Sequence, residues 1–156
     1  MKLIVLLILC CAVVYVGYLF SMVLKRKLQI FYDLLTFCDL LENSIKLNKE
    51  PVYKIVSDNK TMFSKEFNQV INVFYYNKSL SSEVKFYLSY QEQLIISNLF
   101  KNLGKFDVEC EINNLKANKN IIKLHYNELN NRKKNEGSLG IKLGVLFAVL
   151  VFIIFI

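Results

Sequence analysis

The side chains best suited to metal binding or proton transfer are few: one histidine, four cysteines and 13 acidic residues in 156. Structural zinc needs cysteine or histidine pairs a few residues apart, and Cys10, Cys11, Cys38 and Cys110 have no such spacing. His125 has no second histidine or cysteine near it in sequence, so it reads as a helix-surface or internally satisfied residue. No glycine-rich phosphate loop, nucleophile triad or metal-ligand spacing occurs anywhere along the chain. The residues therefore predict no enzyme, no metal and no cofactor. Tyr75-Tyr76 and the Tyr87/Tyr90 pair read as core or groove packing. One acidic set stands out: Asp33, Asp39 and Glu42, which give a single helix an acidic side that a basic partner surface would meet.

Charge is segregated along the chain. Leu3 to Leu24 carries no charged residue, nor does Leu143 to Ile156; of all charged side chains only Lys2 and Lys142 lie outside residues 25–137. Ordinary soluble domains intersperse their charges, and disordered chains lack the 12 Phe and 9 Tyr present here. One proline and five glycines also argue against a turn-rich β fold. At about 1.5 Å per residue, some 20 apolar helical residues cross a hydrocarbon core of about 30 Å. Residues 1–24 thus predict an N-terminal transmembrane helix. It reads as a retained anchor, because the apolar run is too long for a signal peptide and no small-residue cleavage site follows. Residues 138–156 predict a second span, with Lys142 able to reach back to the interface.

Lys25, Arg26 and Lys27 follow the first apolar segment; Arg132, Lys133 and Lys134 precede the second. The positive-inside rule places residues 25–137 in the cytoplasm, with both termini outward, and the same six cations would touch anionic lipid headgroups. A net charge of +5 over residues 25–137 then reports topology and does not call for nucleic acid. Small residues at Gly140, Gly144 and Ala148, and more weakly at Gly17 and Ser21, form stripes on which membrane helices pack closely.

The middle region predicts helices only. Leu28, Phe31, Leu35, Cys38, Leu41 and Ile45 recur at steps of three or four, continuing the first apolar helix to about Leu47. Pro51 opens a short helix with Val52, Ile55 and Val56 inward. Phe63, Phe67, Val70, Ile71 and Phe74 mark another, with Glu66 and Asn68 outward. Residues 82–103 form one helix or two divided near 89–92, with Val84, Tyr87, Leu88, Leu94, Ile95 and Leu99 apolar and Gly104 as the cap. Asp107 caps a long last helix from Val108 to Glu136, whose inner face runs through Val108, Ile112, Leu115, Ile122, Tyr126 and Leu129, with Lys119 the polar exception. Cys38 and Cys110 read as core positions. The fold class is all-α: a cytoplasmic antiparallel helical bundle flanked by two transmembrane helices.

Three places carry a family resemblance. They are Leu41-Glu42-Asn43-Ser44-Ile45 followed by Pro51; Leu103-Gly104 followed by Asp107; and Lys134-Asn135, Ser138-Leu139-Gly140 and Gly144 before an aliphatic end. Together they resemble the stage III sporulation protein AB family. Glu50 and Phe106 depart from its pattern, which has a hydroxyl cap before the proline and a small or polar residue after Gly104. The resemblance implies a non-enzymatic platform subunit of a sporulation-specific, secretion-like complex in the mother-cell membrane facing the forespore. It is similar to the inner-membrane platform proteins of type II secretion and type IV pili. Its implied partners are a cytoplasmic secretion-type ATPase, the AA protein of the same set, and that set's other membrane subunits; self-association is compatible with this. A membrane-tethered helical adaptor or regulator outside any secretion complex is the alternative.

Overall fold

A computed structural model describes residues 2–48, 51–76 and 87–136, together with isolated positions 142, 145, 146 and 149. Every regular element among the described residues is helical. Helix α1 spans Lys2–Asn48 and α2 spans Val52–Asp58; a 3₁₀ turn, Lys60–Met62, leads to α3, Lys65–Phe74. Helix α4 spans Tyr90–Asn102 and α5 spans Val108–Glu136. The chain divides into two compact units, residues 26–127 and a second built from residues 1–25 and 128–156.

In the unit of residues 26–127, α1 supplies a wider apolar face than the predicted stripe. Ile30, Leu34 and Phe37 join Phe31, Cys38, Leu41 and Ile45 in the core, whereas Leu28 and Leu35 are only half-buried. A helix enclosed by several neighbours must bury more than one stripe, which a strict three-four spacing does not capture. Phe37 is the hub. Its ring lies 5.9 Å from Phe63, 5.8 Å from Phe67 and 5.8 Å from Phe100, so α3, α4 and the segment entering α3 meet on one side chain of α1. Offset and edge-on ring pairs of this kind contribute roughly 0.5–1.5 kcal/mol each beyond the area they bury.

The helix boundaries have local causes. Pro51 sits one residue before α2, as its cap, and its carbonyl accepts from the Lys54 N–H at 3.0 Å. At the start of α3 the Ser64 hydroxyl accepts from the Phe67 N–H, and at the start of α4 Ser89 and Glu92 form a reciprocal capping box. Helix α4 thus begins at Tyr90, so the division foreseen near residues 89–92 falls at Ser89. Gly104 follows the end of α4 with φ +75°, a left-handed backbone that a side chain disfavours. Asp107 precedes α5, and its carbonyl accepts from the Glu111 N–H at 2.8 Å.

Some assignments of helix faces change. Asn68 does not point outward: its amide donates to the carbonyls of Lys60 at 2.9 Å, Phe63 at 3.2 Å and Ser64 at 3.2 Å, tying the 3₁₀ turn to α3. On α4, Leu94 is exposed, and Ile96 and Phe100 take the core positions beside Leu99. On α5, Val108 and Cys110 are exposed and Glu111 turns inward, one residue past the expected position.

In the unit of residues 1–25 and 128–156, Leu24 and Leu129 are buried and Gly17 and Ser21 are half-buried. By contrast Tyr15, Val16, Tyr18, Leu19 and Phe20 are all exposed. Among the described residues no helix is long and apolar enough to cross a membrane, which departs from the two expected spans. The second expected span, residues 138–156, lies almost wholly outside the described residues, whereas the first is described as helix from Lys2 on, with the side chains of residues 1–7, 9, 10 and 13 left out. Gly140, Gly144 and Ala148 likewise lie outside the described residues.

Candidate functional site

The predicted acidic side of α1 does not exist as one surface. Asp33 is buried and structural: one carboxylate oxygen accepts from the Ser64 N–H at 3.1 Å and from the Ser64 hydroxyl, the other from the Gln29 amide at 2.9 Å. Asp33 thereby pins the start of α3 to α1. Asp39 is exposed and paired with Lys119 of α5. Glu42 lies 2.6 Å from Lys46, whose hydrogen bond and charge hold its carboxyl below the ordinary glutamate range. Each acid therefore has its own cation or donors, and the three do not form a free acidic patch. At helical spacing Asp39 and Glu42, three residues apart, share a face of α1, and Asp33 lies round the far side from Glu42.

The basic cluster after the first apolar segment is divided in the same way. Lys25 is exposed, but Arg26 donates to the Tyr87 hydroxyl and lies 5.0 Å from that ring's centre. Lys27 binds both oxygens of Glu92, at 3.1 and 2.9 Å. Two of the three cations expected at lipid headgroups are thus committed to side chains of the helical unit. Arg132 pairs with Glu128 at 2.8 Å one turn back on α5, Lys133 is half-buried and Lys134 is exposed.

Glu92 is the centre of the densest polar cluster. It is 3% exposed and accepts from Lys27, from the Ser89 N–H at 2.5 Å and, at 3.4 Å, faces Nε2 of His125. Burial alone would raise its pKa, but the Lys27 ammonium and the Ser89 bonds outweigh that and hold it below the ordinary glutamate value. His125 also packs against Phe31, with ring centres 4.8 Å apart, so the lone histidine is a satisfied residue beside a buried acid. The cluster joins α1, the start of α4 and α5. Its oxygens are occupied and covered, which suits holding three helices in register better than turning over a substrate.

No group of three or more histidine, cysteine or acidic side chains among the described residues is placed to hold a metal ion. Cys38 is buried, and that burial, followed by the nearby Asp39 charge, pushes its thiol up to about 12. Cys110 is exposed; its thiol is also raised, by the hydrogen bond and charge of Asp107.

The remaining feature is a groove of about 340 Å³ beside Gly104. The ends of α1 and α4, the start of α2 and the start of α5 line it, through Ile45, Val52, Leu103 and Val108, with the rings of Tyr53, Tyr75 and Phe106. Among the described residues Glu111 is its one charged lining residue. It is 3% exposed; Oε1 accepts from the Gly104 N–H at 2.9 Å, and Oε2 has no hydrogen-bond partner. The left-handed backbone at Gly104 is what turns that N–H toward Glu111, seven residues on.

Of these two glutamates, Glu92 was legible as the fourth residue of a Ser-x-x-Glu box before an apolar run. Nothing local marks Glu111 as an inward residue.

The model of the stage III sporulation protein AB family matches residues 75–156, just over half of the 156 residues. The chain belongs to that family. Family membership gives it a sporulation-related role, and the match takes in α4, the Gly104 turn, all of α5 and the apolar C-terminal segment. No curated protein and no solved structure matches it.

Proposed function

We propose that this chain is a non-enzymatic membrane platform subunit of a sporulation-specific, secretion-like complex. It docks a cytoplasmic ATPase of the stage III sporulation protein AA type onto the complex's other membrane subunits. Its helical middle, residues 25–137, faces the cytoplasm, two terminal helices cross the mother-cell membrane facing the forespore, and both termini lie outward. The family match over residues 75–156 carries this reading.

Two observations support the membrane placement. Leu3 to Leu24 contains no charge. Within it, Tyr15, Val16, Tyr18, Leu19 and Phe20 are all exposed. At about 100° per residue these five side chains cover an arc of about 200°, and the rest of the circumference of Leu3 to Leu24 carries no charge either. A helix apolar all round is unstable against water and stable against lipid. The surviving surface cations, Lys25 and Lys134, suit the cytoplasmic interface at about 1 kcal/mol each near anionic headgroups. The platform role is mechanical: the middle domain receives the ATPase and the membrane helices meet neighbouring subunits through small-residue stripes such as Gly140, Gly144 and Ala148.

The test is co-purification of the full-length chain, in mild detergent, with an ATPase of the stage III sporulation protein AA type. Binding in the micromolar range or tighter is expected. Absence of binding there would overturn the docking role and leave a tethered adaptor. Gly144→Leu should reduce recovery of other membrane subunits without affecting the ATPase.

A further inference from the structure

The groove beside Gly104 has the makings of a recognition site of its own. Water-filled surface clefts are common, but a buried carboxylate oxygen without a partner is not, because leaving such an atom unpaired costs roughly 1–3 kcal/mol or more. Glu111 Oε2 is such an atom, within the wall of this groove. The two sides of the same carboxylate are unequal: the Gly104 N–H holds Oε1 in place and so fixes where Oε2 is presented.

The surroundings state which donor belongs there. Among the described residues no cation lines the groove, and three aromatic rings do: Tyr53, Tyr75 and Phe106. An acid among aromatic faces favours a cation that can be stacked as well as hydrogen-bonded, and a guanidinium does both. Leu103 and Val108 leave an apolar floor beside it. Oε2 itself is closed to solvent, and Tyr53 and Phe106 are the largely exposed rings of the same wall, whose side chains can turn with the backbone in place.

We propose that this groove, between the α1–α2 junction and the Gly104 turn, binds a segment of a partner protein that presents an arginine next to a bulky apolar side chain. The guanidinium pairs with Glu111 Oε2 among the rings, and the apolar neighbour covers Leu103 and Val108. The assignment stands on the groove's own chemistry and holds whether or not the ATPase is the protein that supplies the segment.

The test uses the full-length chain in detergent micelles and two soluble probes. One is N-acetyl-phenylalanyl-arginine amide; the other is its citrulline analogue, of the same size but uncharged. Saturable binding of the arginine probe is expected, about tenfold tighter than the citrulline probe, as one charge-assisted pair commands. Glu111→Gln should abolish that preference, while Glu66→Gln on α3 keeps it. Because Glu111→Gln can disturb the Gly104 turn, Phe106→Ala at the exposed rim is the second variant and should weaken both probes. Equal binding of the two probes would overturn the proposal, and so would a preference that persists in Glu111→Gln or an affinity unchanged in Phe106→Ala.

Discussion

Glu92 and Glu111 are equally buried acids in one helical unit, and they differ in how their oxygens are used. Glu92 has an ammonium, a backbone N–H and an imidazole around it. Glu111 has one backbone N–H and an idle buried oxygen, on a residue that lines an aromatic groove. The contrast separates a carboxylate that holds helices together from one left available. Burial by itself does not distinguish them; the count of donors does, because an ionised carboxylate can accept several hydrogen bonds and is costly when it accepts few.

The comparison is broken most directly at Glu92. Glu92→Ala strands the Lys27 ammonium and the Ser89 N–H, so unfolding free energy should fall by about 3–5 kcal/mol, the range for removing one member of a buried pair. Urea denaturation followed by circular dichroism reads it; a loss under about 1 kcal/mol would make the cluster incidental. The same residue gives a pH signature. Its folded pKa lies below its unfolded one, so its contribution is present above the ordinary glutamate pKa and is lost as pH falls through the folded value. Stability should therefore decline on acidification below about pH 4.5, and Glu92→Gln should flatten part of that slope. Identical slopes in both proteins would refute it.

Asp33 extends the satisfied class to α3. Asp33→Ala removes an acceptor from the Ser64 N–H and hydroxyl and from Gln29, and should cost about 2–3 kcal/mol in the same denaturation. Glu111→Gln should change stability by less than about 1 kcal/mol, because the amide keeps an acceptor for Gly104 while removing a buried charge. A loss as large as that of Glu92→Ala would place Glu111 among the structural acids. Lys119→Met is the smallest: the exposed Asp39 pair on the surface of α5 should matter by no more than about 0.5 kcal/mol, and less in high salt.

The reading of the sequence succeeded where the signal is local. Gly104 follows an apolar run and Asp107 precedes a long periodic segment, and each boundary depends on a few neighbouring backbone groups; the Ser89–Glu92 box is as local but went unread. The run of Val108 to Glu136 as one helix was recovered in full. It failed where a residue's direction depends on a distant element. Asn68 reads as a solvated helix residue until the 3₁₀ turn brings the Lys60 and Phe63 carbonyls within reach. Asp33 reads as part of an acidic surface until Ser64, 31 positions away, is laid against it. Lys27 reads as a headgroup contact until α4 presents Glu92.

Taken by itself, the order of residues determined that the chain is helical, where the charges and uncharged stretches lie, which ends have caps, and which family it belongs to. Periodicity and capping act within a few residues, so they are written along the chain. Only the tertiary structure decided which polar groups are paired. A side chain's partner is set by the packing of elements far apart in sequence, and it is that packing which leaves one oxygen of Glu111 unclaimed at the edge of a groove.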